Sequence, residues 1–145
     1  MPASVLSCPR ILVAGLGGGS GKTIVSLGLA RAYQEQGLAV QTFKKGPDYI
    51  DAKWLSLASR RDTTNLDPFL LPPEVLENLF RFRAQGADLA LVEGNRGLYD
   101  GKDVEGSCSS AELAKLLRCP VIIVADCPKV TRTMAAIILG LTSFD

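Results

Sequence analysis

The chain has 145 residues, of which 47% are hydrophobic and 21% are charged, with 16 basic side chains against 15 acidic ones. This size and composition predict one folded domain, and the near balance of charge gives no reason to expect a nucleic acid partner. With no apolar run of membrane-spanning length and no secretion signal, the sequence predicts a cytoplasmic protein without membrane contact. The four cysteines lack C-x-x-C spacing and are expected to be reduced thiols, and the absence of histidine excludes Ser-His and Cys-His catalytic pairs.

The hydrophobic pattern of the sequence predicts strands that alternate with helices along the chain. Continuous apolar runs predict strands over 10–16, 38–43, 88–93 and 120–126. Apolar residues at helical spacing predict helices over 21–36, 53–59, 72–86, 109–117 and 130–141, the second being short and lying inside an otherwise irregular stretch over 44–71. This alternation predicts an α/β fold, a doubly wound and mainly parallel sheet with helices on both faces. Four strands are few for such a sheet, so we expect the chain to be part of a longer protein.

A glycine-rich segment joins the first predicted strand to the first predicted helix. It reads Gly15-Leu16-Gly17-Gly18-Gly19-Ser20-Gly21-Lys22-Thr23, one residue longer than the usual Gly-x-x-x-x-Gly-Lys-Ser/Thr phosphate loop. The backbone N–H groups of Gly17, Gly18, Gly19, Ser20 and Gly21 are expected to surround phosphates. Lys22 would approach the β- and γ-phosphates of ATP, and the Thr23 hydroxyl would ligate Mg²⁺. The alternative is a glycine-rich turn without a ligand.

The segment after the second predicted strand combines two lysines, a Gly-Pro corner and two carboxylates. Lys44 and Lys45 are candidates to neutralise a phosphoryl group during its transfer, and Asp48 is a candidate magnesium ligand because hard cations prefer oxygen. Asp51 follows three residues later and is assigned to the substrate side. A turn carrying a solvated charge cluster is the alternative.

The third predicted strand ends in a second acidic segment. Glu93 stands at the strand tip, where P-loop enzymes place the carboxylate that completes the magnesium shell. Asp100 could orient the substrate or a second metal ion, although an Asp-Gly turn explains it equally well. Arg96 could balance a phosphate or carboxylate charge, and Tyr99 could line a pocket for a flat ligand or pack over the core.

Three blocks of the sequence together resemble the cobyrinic acid a,c-diamide synthase family, in its N-terminal ATP-binding domain, within the wider dethiobiotin synthetase-like group. The blocks are 15–23, 45–51 together with Asn65-Leu66-Asp67, and 93–101. The resemblance implies that ATP activates the a and c acetate carboxylates of a corrin as acyl phosphates, which ammonia from glutamine converts to amides. It implies that Lys22 and Thr23 serve ATP and Mg²⁺, that Asp48 and Glu93 complete the site, and that Tyr49, Ile50 and Asp100 position the substrate.

The same resemblance leaves alternatives open. Asp51-Ala52-Lys53-Trp54 stands where the family often has proline and histidine, so nickel sirohydrochlorin is an alternative macrocycle. A partitioning-type nucleotide-switch ATPase is a second alternative, opposed by Gly17 where that class has a signature lysine, and a folded domain without catalysis is a third. The family's glutaminase domain is not in this chain, which by itself would therefore use free ammonia. The oligomeric state is left open, with a homodimer among the alternatives.

Overall fold

A computed structural model describes residues 8–145, and in this part of the chain strands alternate with helices throughout. The elements are β1 (Arg10–Gly15), α1 (Lys22–Glu35), β2 (Val40–Lys45), α2 (Ile50–Ser59), β3 (Thr64–Leu66), α3 (Pro73–Arg83), β4 (Leu89–Gly97), α4 (Ser110–Leu117), β5 (Val121–Val124) and α5 (Arg132–Phe144). The strands form one sheet in the order β3-β2-β4-β1-β5, and every pairing is parallel. The predicted parallel α/β fold is confirmed.

Helices cover both faces of this sheet, because successive side chains of a strand point to opposite faces. On one face Leu12 and Phe43 pack with residues of α3 and α4, and the Phe43 ring stacks on Phe80 with their centroids 4.7 Å apart. On the other face Val13 and Leu91 pack with residues of α1 and α2. The central strands β1 and β4 are therefore apolar on both faces, as their continuous hydrophobic runs predict.

The structure differs from the predicted elements mainly between residues 44 and 71. The predicted irregular stretch contains β3, which pairs with Phe43–Lys45 at the end of β2. This strand has three residues, and only Leu66 is buried. It is therefore too short to show a hydrophobic period in the sequence. Helix α2 begins at Ile50 rather than at 53, since the Asp48 carboxylate accepts the N–H of Asp51 at 2.9 Å and so caps the first turn.

Parallel strands bring their carboxyl ends to the same edge of the sheet. The glycine-rich loop follows β1, the segment with Asp48 follows β2, and the segment with Arg96 ends β4, which runs to Gly97 rather than stopping at Glu93. Strand β4 lies between β1 and β2, so the three segments are neighbours. This edge therefore holds the candidate site.

Two further features of residues 8–145 concern thiols and helices. Cys8, Cys108, Cys119 and Cys127 are all free, and burial raises the pKa of the Cys119 thiol to about 12. No described helix combines the length and the apolar character that a membrane span requires.

Candidate active site

The glycine-rich loop folds back tightly on itself at the end of β1. A Cβ atom on Gly15 would overlap the Ser20 hydroxyl and would lie 3.1 Å from the Lys22 ammonium, so the loop can curl this closely only with glycine there. Gly21 has φ 91°, a left-handed conformation that lets α1 begin directly at Lys22. The positive end of the α1 dipole therefore faces the space that the loop encloses.

The Lys22 side chain reaches across this loop. Its Nζ donates a hydrogen bond to the carbonyl oxygen of Gly17 at 2.9 Å, and the residue is only 8% exposed. Burial lowers the pKa of Lys22, and the positive charge of Lys44 lowers it further. A phosphate in the loop would supply the negative charge that this buried ammonium lacks.

Lys44 forms the centre of a buried ionic cluster. Its Nζ lies 2.9 Å from Glu93 Oε1, 2.9 Å from Asp51 Oδ2 and 3.8 Å from Asp48 Oδ2. Lys44 is 2% exposed and Glu93 is completely buried. Both side chains point to the face of the sheet that α1 covers, since Lys44 alternates with Phe43 along β2. The cluster therefore lies directly beside the first turn of α1.

Lys44 and Asp51 stabilise each other's charged forms. Burial by itself lowers the pKa of Lys44, but the Glu93 and Asp51 carboxylates outweigh it and leave that pKa raised. Burial likewise raises the pKa of Asp51, but the hydrogen bond and charge of Lys44 outweigh it and leave that pKa lowered. At neutral pH the site consequently presents the Lys44 ammonium beside the Asp51 carboxylate.

Thr23 connects the phosphate loop to this cluster. Its hydroxyl donates to Glu93 Oε1 at 2.7 Å and lies 3.5 Å from Asp51 Oδ2. The second oxygen of Glu93, Oε2, is buried and has no hydrogen-bond partner among residues 8–145. A buried carboxylate oxygen without a partner is costly, and a hydrated Mg²⁺ would satisfy it.

The donor set fits magnesium held together with nucleotide phosphates. Among the described residues no three Asp, Glu, Cys or His side chains are grouped so that they could hold a metal ion. Magnesium in nucleotide sites needs no such cage, because it keeps several waters and takes oxygens from the phosphates, from a hydroxyl and from one or two carboxylates. Thr23, Glu93 and Asp51 provide that hydroxyl and those carboxylates.

The predicted site residues fall into three groups in the structure. Lys22, Thr23, Lys44, Asp48, Asp51 and Glu93 converge around the phosphate loop. Of the two aspartates after β2, Asp51 is the one that reaches Thr23, whereas Asp48 caps α2. Lys45 points to the opposite face of the sheet from Lys44, into a neighbouring cavity that Arg96 and Asp100 also line.

Asp100 also serves the local backbone, and the third group consists of Tyr99, Tyr49 and Ile50. Asp100 Oδ2 accepts the N–H of Gly97 at 2.9 Å, which is the contact of a turn. Tyr99 donates its hydroxyl to the carbonyl oxygen of Leu141 at 2.7 Å, and its ring contacts Phe144, so it packs on α5. Tyr49 and Ile50, at the start of α2, are 84% and 66% exposed and remain available to a ligand.

Asn65 is a positioning residue that had no role in the predicted site. Its side-chain amide donates to the carbonyl oxygens of Gly46 at 2.6 Å and Asp48 at 2.9 Å. These bonds tie β3 to the segment after β2 and so fix the start of α2. The sequence singled out the block Asn65-Leu66-Asp67 by its resemblance to the family. The contacts of the Asn65 amide follow only from the pairing of β3 with β2.

A curled glycine loop between a buried strand and a helix, with a carboxylate from the adjacent strand against its threonine, defines a P-loop nucleotide-binding protein. The family model for the CobQ/CobB/MinD/ParA nucleotide binding domain matches residues 11–142. The chain belongs to this family.

Several curated relatives with high identity are named as a,c-diamide synthases. The chain is 50% identical over 133 residues to a cobyrinate a,c-diamide synthase of Magnetococcus marinus, covering 91% of the chain and 28% of the relative. It is 47% identical to the cobyrinate a,c-diamide synthase of Salmonella typhimurium, covering 92% and 29% respectively. It is also 47% identical to the hydrogenobyrinate a,c-diamide synthase of Streptomyces coelicolor, covering 94% and 28%. The chain thus spans less than a third of the length of these relatives.

Proposed function

We propose that this chain is the ATP-binding domain of an enzyme that amidates the a and c acetate carboxylates of cobyrinic acid in cobalamin biosynthesis. The names of the relatives support this substrate over nickel sirohydrochlorin and over a partitioning ATPase. The observation that carries the proposal is the contact of Thr23 with Glu93, whose second oxygen is buried and has no hydrogen-bond partner in the described part of the chain. That arrangement suits a magnesium nucleotide whose terminal phosphate is to be transferred.

The proposed reaction makes a carboxylate reactive by phosphorylation. An oxygen of the substrate carboxylate attacks the γ-phosphorus, the bond to the ADP oxygen breaks, and an acyl phosphate forms. Ammonia then attacks the acyl carbon, the phosphate leaves with the bonding electrons, and the nitrogen loses a proton to give the amide. Catalysis of the first step consists mainly of alignment and of neutralising charge on the transferred group.

The residues of the chain divide this work between them. The loop N–H groups and Lys22 hold the phosphates, and Lys44 supplies a second fixed positive charge beside the acceptor carboxylate. Thr23, Glu93 and Asp51 would hold magnesium, and the bound ion would supply positive charge next to the nucleotide phosphates. No general base is required in the phosphorylation step because the attacking carboxylate is already ionised.

Ammonia would come from glutamine through a glutaminase domain elsewhere in the same protein. The difference in length between this chain and its relatives leaves room for such a domain. We further propose that the enzyme works in the cytoplasm, which fits its use of ATP and its free cysteines.

The direct test is amide formation by the full-length gene product. With ATP, Mg²⁺, glutamine and cobyrinic acid we expect the a,c-diamide, with one ADP released for each amide, and ammonium should replace glutamine. Mass spectrometry of the corrin and coupled detection of ADP measure the two products. Amidation of nickel sirohydrochlorin alone, or ATP-dependent dimerisation without any carboxylate substrate, would refute the substrate assignment.

The variant Glu93→Gln tests the magnesium assignment. Glutamine keeps the volume of the side chain but removes its charge, so we expect kcat to fall by about 100-fold or more and the magnesium requirement to rise. Titration of turnover with Mg²⁺ at saturating ATP measures both changes. The matched control is Glu77→Gln on α3, whose carboxylate pairs with Arg81 on the helix surface at 3.4 Å. Unchanged turnover in Glu93→Gln would remove this residue from the site.

A further inference from the structure

A second cavity opens at the carboxyl edge of the sheet, on the opposite side of β2 from Lys44. Its volume is about 250 Å³, and it lies among the segments that follow β2, β3 and β4. Its polar lining includes Lys45, Asp67, Asn95, Arg96, Asp100 and Lys102. Pockets for whole drug-sized ligands measure roughly 300–1,000 Å³, so this cavity suits one arm of a large ligand.

Lys45 is the unusual residue of this cavity. It is only 8% exposed, yet its ammonium makes no hydrogen bond and no ion pair with any residue from 8 to 145. Burial lowers the pKa of Lys45, and the more distant Asp67 carboxylate opposes this only in part. Lys45 lines a cavity large enough for an anionic group, and such a group would give its ammonium the partner that it lacks among the described residues.

The other charged groups of the cavity do not supply that partner. Asp67 Oδ1 accepts the N–H of Phe69 at 2.9 Å, and Asp100 Oδ2 accepts the N–H of Gly97 at 2.9 Å, so both carboxylates serve local turns. Arg96 adds a positive charge that lowers the pKa of Lys45 further, and Lys102 lies over the Phe69 ring at 5.7 Å from its centroid. Three cations therefore surround one small opening.

We propose that this cavity binds a carboxylate arm of the substrate other than the arm that is being phosphorylated, with Lys45 Nζ and the Arg96 guanidinium as its ligands. The inference rests on the proposed function, because it names a subsite for the same substrate. Lys44 and Lys45 are consecutive on β2 and point to opposite faces, so one stands beside the phosphoryl-transfer site and the other beside the second carboxylate. A rigid substrate with several carboxylates could engage both.

This arrangement makes substrate choice depend on a group that does not react. A polycarboxylate would gain a charge-assisted hydrogen bond at Lys45, whereas a monocarboxylate of similar size would not. The subsite is thus expected to select polyanionic substrates and to hold them in one orientation.

The test compares Lys45→Met, Lys45→Arg and Lys115→Met in the full-length protein. Cobyrinic acid binding without ATP, measured by equilibrium dialysis, should weaken about 10- to 100-fold in Lys45→Met, as expected for loss of a charged hydrogen bond. Lys45→Arg should keep most of the affinity, and Lys115→Met, which removes an exposed lysine of α4, should keep all of it. In turnover, Lys45→Met should raise KM more than it lowers kcat.

The thermal midpoint separates binding from folding. Methionine removes an unpaired charge from a buried position, so the midpoint of Lys45→Met should equal or exceed that of the unaltered protein. Binding of cobyrinic acid that is unchanged in Lys45→Met, or a fall in kcat with KM unchanged, would overturn the subsite. If Lys45→Met amidates the substrate normally with an unchanged KM, the subsite is wrong but the proposed function stands. If cobyrinic acid binding depends on Lys45 but the protein forms no amide, the proposed function is wrong and the carboxylate subsite stands.

Discussion

Replacing Lys22 with alanine is expected to lower kcat/KM for ATP by about 1,000-fold, because one ammonium serves both binding and phosphoryl transfer. Loss of its charged hydrogen bonds to the phosphates should weaken ATP binding by roughly 10- to 100-fold. The rest of the loss should appear in kcat, since charge on the transferred group spreads over its oxygens in the transition state. Isothermal titration with a non-hydrolysable ATP analogue separates the binding part from the turnover part.

The structure offers a control that keeps folding out of this comparison. Lys22 Nζ has one strong contact, with the carbonyl oxygen of Gly17 in the partly exposed loop, so alanine leaves no buried polar group without a partner. The thermal midpoint of Lys22→Ala should therefore stay close to that of Lys53→Ala, the matched surface variant. If Lys22→Ala binds the ATP analogue as tightly as Lys53→Ala does, the loop does not hold the nucleotide as described.

Much of this architecture could be predicted because its signals are local. The glycine loop, the apolar β1 before it and the helical spacing after it lie within one short stretch, and each supports the others. The strong apolar patterns of β2, β4 and β5 likewise fixed where strands occur, with errors of a few residues at their ends. Such errors are expected where a strand continues into a loop that carries the site.

The details of the site depend on contacts between distant parts of the chain. Sequence spacing could not tell which of Asp48 and Asp51 reaches Thr23, because that depends on where α2 begins. Nor did the pair Lys44-Lys45 reveal that one lysine enters the ionic cluster while its neighbour enters a separate cavity. The alternation of side chains on β2 decides this, and it became useful only once β2 was known to extend to Lys45.

Because side chains alternate along β2, Lys44 lies inside the protein, and the ionic cluster should matter for stability as well as for catalysis. Replacing Lys44 with methionine is expected to lower the free energy of unfolding by about 3–5 kcal/mol, since it leaves the buried Glu93 carboxylate without its cation. Glu93 is completely buried, so water cannot replace the lost partner. Urea denaturation at pH 7 measures the difference, and Lys53→Met serves as the matched control.

The dependence of this loss on pH follows from the direction of two pKa shifts. The lowered pKa of Asp51 means that its pairing with Lys44 stabilises the fold above the unfolded value of 3.8 and is lost as the pH falls through the lower folded value. The raised pKa of Lys44 means that its contribution is complete below 10.5 and is lost as the pH rises through the higher folded value. The difference in the free energy of unfolding between Lys44→Met and the unaltered protein should therefore be largest between these pH limits and should decrease in acid.

A double variant tests whether the unpaired charge of Glu93 causes the loss of stability in Lys44→Met. Glu93→Gln combined with Lys44→Met removes both charges, so the unfolding free energy should recover by about 1–3 kcal/mol relative to Lys44→Met alone. Turnover should not recover, because both groups act on the phosphoryl-transfer site. A double variant no more stable than Lys44→Met would mean that the unpaired Glu93 carboxylate does not cause the loss, and the electrostatic account of the cluster would then be wrong.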